Sequence, residues 1–155
     1  MPWIPKACVV VPVDFSVHSL AAIATALELV AKPSDVHVIH VLMGGSDRDL
    51  LREWAPGTEA ETWDSAGRQR LAEFLKSHDI AGVVQEVRLG DPGFAITDYA
   101  RQQQAAMIVI PSHGFHGIRR LLLGSVADRV IRYAPCPVLV LRCHDHATHE
   151  PTDAG

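Results

Sequence analysis

The residues best suited to chemistry lie between Pro111 and Asp128, where the chain reads Pro-Ser-His-Gly-Phe-His-Gly-Ile-Arg-Arg-Leu-Leu-Leu-Gly-Ser-Val-Ala-Asp. Gly114 is followed, after nine residues, by Gly124-Ser125 at the expected start of a helix. Ser125 is placed to cap that helix, with Asp128 three residues on as in a capping box. A helix start presents free amides and a partial positive charge, a ready seat for a phosphate. A neighbouring glycine loop lets backbone N–H groups approach an anion with no Cβ in the way. Two glycine turns and an ordinary serine cap would give the same spacing, so the pattern alone leaves both readings open.

Other reactive side chains form weaker groupings. Ser112, His113 and Asp14 could be imagined as nucleophile, base and orienter, but no Gly-x-Ser-x-Gly elbow surrounds Ser112. Adjacent residues on a strand point to opposite sides, which separates Ser112 from His113; His113 is read as a phosphate contact or a plain loop residue. The stretch from Cys143 to His149 holds Cys143, His144, His146 and His149, yet offers no apolar anchor for a fixed metal site, and is expected to be a solvated tail. His37 and His40, three apart on a strand, fall on opposite faces, one expected buried and one solvated. Cys8 and Cys136 are expected to pack as small apolar groups and Cys143 to be exposed.

Elements of two kinds must position these residues. Ala7–Val13, Val36–Leu42, Val83–Leu89, Met107–Ile110 and Pro137–Leu141 are apolar runs that read as strands, most of them buried on both faces. Between them lie helical stripes: Leu20, Ile23, Ala24, Leu27, Val30 and Ala31, capped by Ser16 and stopped by Pro33-Ser34-Asp35; Trp63, Gly67, Leu71, Phe74 and Leu75 within 60–77; and Val126, Ala127, Val130, Ile131 and Ala134, ended by Pro135. A fourth helix starts at Asp91, its cap, and Pro92, and runs to about Gln103. A long loop over 43–59 has room for a short helix near Leu50–Trp54. Strands joined by helical crossovers make a parallel sheet covered on both faces, a single doubly wound α/β domain over 1–142 followed by a polar, His-rich, disordered tail over 143–155. In such a sheet ligands lie beyond the carboxyl ends of the strands, where strand order reverses. Asp14, Phe15 and Ser16, then Val41–Gly45, then Pro111–Gly117 converge on that rim.

Composition narrows the choice of ligand. The 155 residues carry 14 Lys and Arg against 18 Asp and Glu, a net charge of −4 that argues against nucleic-acid binding. No apolar run approaches the roughly 20 residues of a membrane span. Three cysteines, no asparagine for glycosylation and no visible secretory signal fit a reducing, cytoplasmic setting. The last strand, Val138-Leu139-Val140-Leu141, is apolar without alternation, yet belongs at a sheet edge, which calls for an oligomer contact.

Val11-Pro12-Val13-Asp14-Phe15-Ser16, Gly90-Asp91-Pro92, Ser112-His113-Gly114 and the run Leu121–Val130 continuing into Ala134–Val140 resemble the universal stress protein family, in one order over roughly 6–142. The resemblance implies an adenine-nucleotide α-hydrolase-like, five-stranded parallel sheet of order 3-2-1-4-5, paired through strand five into a homodimer. It also implies binding of ATP or a related adenine nucleotide, with Mg²⁺ between the phosphates. Carried over, Gly114 and Gly124 are the second and third motif glycines and Ser125 the hydroxyl residue. Asp14 matches the ribose aspartate, Pro12 and Val13 flank the base, backbone at Val41 meets the adenine, and Val126 follows the phosphate turn. Ser112 and His113 belong to the same loop. No residue has the look of a positioned base, so catalysis beyond slow ATP hydrolysis or self-phosphorylation is not implied. Pro111 stands where the first motif glycine belongs, and proline supplies no amide. The competing expectation is therefore a dimeric interaction module that binds no nucleotide.

Overall fold

The computed structural model describes residues 2–43, 60–113 and 123–143. The short helix expected near Leu50–Trp54, Gly114 and residues 144–155 of the tail lie outside the described residues. In chain order the elements are β1 (Val9–Pro12), α1 (Val17–Leu29), a single 3-10 turn (Pro33–Asp35), β2 (Val36–Leu42), α2 (Ala60–Ser77), β3 (Val84–Leu89), α3 (Pro92–Gln102), β4 (Met107–Pro111), α4 (Ser125–Tyr133) and β5 (Val138–Leu141).

All strand pairs are parallel and the sheet order is β3-β2-β1-β4-β5, as the resemblance implied. Strands buried on two faces explain the unbroken apolar runs. On one face Val9, Val11, Val38 and Leu42 pack with Ala22, Ile23 and Ala26 of α1 and Leu71 and Leu75 of α2. On the other, Val10, Ile39, Val41, Ile108 and Ile110 meet Ile96, Tyr99 and Ala100 of α3 and Ala127 and Val130 of α4. Gly67 allows α2 this close an approach: a Cβ there would stand 3.0 Å from Val87 Cγ1 and 3.1 Å from Leu42 Cδ1.

The two sheet edges differ. Along β3, Arg88 Nε donates to Glu86 Oε1 at 2.6 Å and its guanidinium reaches Gln102 Oε1 at 3.1 Å, so this edge carries charge. Along β5, Val138 and Val140 lean on one core and Leu139 and Leu141 on the other, and none of the four is fully buried.

His37 and His40 do take opposite faces, but His37 is not simply solvated. It is half-buried, with Nδ1 2.8 Å from the Tyr99 hydroxyl, because α3 crosses that part of β2. Burial lowers the His37 pKa, against the opposing charges of Asp35 and Glu86, and burial raises Tyr99 to about 12. The Cys8 and Cys136 thiols sit half-buried against the second core, where burial pushes both upward and away from thiolate chemistry. Among the described residues, no helix is long and apolar enough to cross a membrane.

Candidate functional site

At the centre of the sheet the strand order reverses: β2 stands on one side of β1 and β4 on the other. The β1–β2 ladder runs as far as Pro12 and Ile39, and Val13 N extends it to the Ile39 carbonyl at 2.9 Å. The β1–β4 ladder pairs only Val9 with Met107 and Val10 with Ile108. Beyond that level β1 and β4 are no longer paired, at the switch point where a doubly wound sheet receives its ligands. Pro12, Val13 and Asp14 leave on the β1 side, Pro111, Ser112 and His113 on the β4 side, and buried Val41 lies near the end of β2.

The turn after β1 is held from several directions. Phe15 has φ of 66°, a left-handed conformation costly for a bulky side chain. Its ring lies 4.4 Å from that of His40 and 5.2 Å, edge-on, from that of Phe74, with the Arg70 guanidinium 4.3 Å above it. His40, only 8% exposed, has Nδ1 2.9 Å from the Val13 carbonyl; a carbonyl only accepts, so this nitrogen carries the proton. The turn directs Asp14 onto α1: Oδ1 accepts from the Ser19 hydroxyl at 2.8 Å and from the Ser16 amide at 3.1 Å, while the Asp14 amide donates to Ser19 Oγ at 3.0 Å. Ser19 is the residue that sequence reasoning missed. Its signal was a hydroxyl on the buried side of α1, five residues after an aspartate at a strand exit.

Helix α4 departs from expectation at its first residue. The cap is Gly124, at φ −70° and ψ 159°, with no side-chain cap bond, and Ser125 is already inside the helix. The cause is a long-range bond: the Gly124 amide donates to the Ser112 carbonyl at 2.6 Å and holds Gly124 extended, so the helix opens one residue earlier than a Ser125 cap would set it. A Cβ on Gly124 would lie 3.1 Å from that carbonyl, a tight fit that favours glycine. The capping box does not form, because the Asp128 carboxylate turns to Arg132 Nε at 3.1 Å. The Gly124 amide is thus spent within the protein. The amides of Ser125, Val126 and Ala127 are first-turn donors, which no helix carbonyl can satisfy.

Ser112, 3% exposed, is the junction on the β4 side. Its amide donates to the Leu141 carbonyl at 2.7 Å and its hydroxyl accepts from the Cys143 amide at 3.0 Å. The same hydroxyl lies 3.1 Å from His113 Nδ1. The two neighbours therefore touch rather than point apart, since the chain has left β4 at Pro111 and strand alternation no longer applies. Cys143 is correspondingly half-buried rather than exposed, its thiol 3.6 Å from the His113 carbonyl. Bonds to β5 come from Ile108 and Ser112, so by alternation the missing amide of Pro111 faces away from β5. Ser112 Oγ accepts from the Cys143 amide, and Asp14 Oδ1 accepts from the Ser16 amide and the Ser19 hydroxyl.

The Gly90-Asp91-Pro92 signature has a structural part to play beside this rim. Asp91 caps α3 through the Phe94 amide at 3.1 Å and pairs with Arg129 of α4. The amide bond first, and the Arg129 guanidinium second, hold its carboxyl below the usual range.

Against known proteins, the model of the universal stress protein family matches residues 8–142. The chain belongs to that family. A universal stress protein of Methanocaldococcus jannaschii is 33% identical over 137 residues, covering 86% of this chain and 81% of its own length. The universal stress protein UspA from Lactobacillus plantarum superposes with a TM-score of 0.60 at 26% identity, covering 88% of this chain and 97% of its own. A universal stress protein solved in complex with cAMP has the same fold, with a TM-score of 0.56 at 23% identity over 88% of this chain and 97% of its own.

Proposed function

We propose that this universal stress protein is a homodimeric regulatory module whose ligand is an adenine nucleotide, ATP or a close relative. The observation that carries the reading is the start of α4, a helix without a side-chain cap that opens beside the switch point of the sheet. A phosphate would be held by the amides of Ser125 and Val126 and the Ser125 hydroxyl, at the turn that Gly124 forms. Asp14, already oriented by Ser16 and Ser19, would take the ribose hydroxyls. Pro12, Val13 and the backbone at Val41 would border the base, and His113 would stand at the phosphate side. Mg²⁺, where present, would bridge phosphate oxygens. The family relative solved with cAMP supports an adenine nucleotide as the ligand class.

Homodimerisation through β5 is supported by its apolar, incompletely buried residues at the end of the sheet. An edge of that kind is an aggregation hazard unless something pairs with it. In this reading the bound nucleotide acts as a signal rather than as a substrate for rapid turnover.

Calorimetry with ATP tests the reading, with saturable binding at micromolar to millimolar ligand as the expected outcome. No heat at millimolar ATP would favour the module without nucleotide, closed by Pro111. If the missing amide limits affinity, Pro111→Gly should tighten binding about 10–100-fold, the worth of one charge-assisted hydrogen bond.

A further inference from the structure

Ser112 joins two parts of the molecule with different tasks. Through its carbonyl it holds Gly124, the cap of α4, and through its amide it holds Leu141, the last residue of β5. Its hydroxyl then takes the next free donor along, the Cys143 amide at 3.0 Å, so the chain beyond β5 is fastened to the exit of β4. The helix start and the end of the edge strand are one buried residue apart, and all three bonds run through it. The α4 cap, Leu141 and Cys143 thus share one bonding partner.

We infer that the Ser112–Cys143 fastening couples anion occupancy at the start of α4 to self-association through β5, so that ligand and dimer strengthen one another. The inference rests on the nucleotide and β5-dimer reading above and adds a direction and a residue to it. A polyanion bound to the first-turn amides holds α4 where it stands. That keeps the Gly124 amide on the Ser112 carbonyl, and Ser112 in place keeps β5 straight through Cys143. A strand held to its end offers a longer edge to its twin. By linkage, the factor by which ligand tightens the dimer is the factor by which dimerisation tightens the ligand.

The test uses the full chain and ATP, with the dimer dissociation constant measured by sedimentation equilibrium and nucleotide affinity by calorimetry. In the natural protein, saturating ATP should tighten the dimer about fivefold or more, within the usual range of such couplings. Cys143→Pro removes the amide that Ser112 receives, together with the thiol. It should leave monomer affinity for ATP within about threefold and abolish the tightening. Cys143→Ala keeps the amide and should retain the tightening, which separates the backbone bond from any effect of the thiol. Ser112→Ala breaks the same bond from the other side and should likewise uncouple. Coupling that survives in both Cys143→Pro and Ser112→Ala overturns the inference. So does ATP binding without any change in dimerisation, which leaves the nucleotide reading standing. Absence of ATP binding or of a dimer overturns both, and calorimetry on the natural protein tells these cases apart.

Discussion

Helices α3 and α4 pack side by side on one face of the sheet, yet their amino-terminal ends are finished differently. At α3 the chain provides its own anion: the Asp91 carboxylate accepts the Phe94 amide, and Pro92 fills a first-turn position that needs no donor. At α4 a glycine takes the cap position and makes no side-chain cap bond. One helix start is capped by its own side chain; the other is where the proposed reading seats a phosphate. Both stand at the same rim, and Arg129 of α4 reaches across to Asp91 of α3, so the finished end helps to fix the unfinished one.

The comparison breaks most sharply if α4 is made to resemble α3. Gly124→Asp should supply the absent carboxylate and put a negative charge where a phosphate would sit. Triphosphate affinity measured by calorimetry should fall about 100-fold or more while the fold persists. Unchanged affinity would mean that the α4 start does not contact the ligand.

Opening the α3 end has a smaller effect, and on stability. Asp91→Ala removes the cap and the Arg129 partner, and should cost about 1–2 kcal/mol in urea denaturation, most of it from the cap, since an exposed ion pair adds little.

The same carboxylate can be removed with acid. The Asp91 carboxyl is held below its ordinary 3.8 in the folded chain, so its stabilisation is full above that value and lost as pH falls through the lowered one. The Phe94 amide resonance should titrate in that window, and the Ser125, Val126 and Ala127 amides should show no such cap titration. Equal titration at both helices would erase the distinction.

The finest adjustment is Asp128→Asn, which breaks the one-turn pair with Arg132 and removes a first-turn charge near the phosphate turn. A loss of about 0.5 kcal/mol in thermal denaturation and a gain of less than about threefold in triphosphate affinity are expected.

Only the α3 half of this contrast was legible in the sequence. Asp91-Pro92 is a local signal, a cap next to a residue that suits only the first turn, and the helix begins where it indicates. Ser125 carried an equally good local signal and was off by one residue, because the cap of α4 is set by the Ser112 carbonyl, twelve positions earlier than Gly124. A bond of that span leaves no periodicity to read. The strand runs were clear for the opposite reason: burial on two faces writes itself into every residue, as in Val36–Leu42, where expected and observed limits coincide. The pairing of Ser112 with His113 and the placing of Cys143 were hidden for the same cause as the cap, since both arise where the chain has left its strand and alternation no longer governs.

The left-handed bend at Phe15 has a thermodynamic consequence for whatever reaches Asp14. Wedged among Arg70, His40 and Phe74, that bend has already met its ordering cost during folding. An incoming molecule meets a carboxylate whose orientation is settled beforehand, and little of its contact energy is diverted into freezing the backbone. The aromatic wedge lies in the first core, behind the rim, and its contribution to affinity would appear as rigidity rather than as a contact.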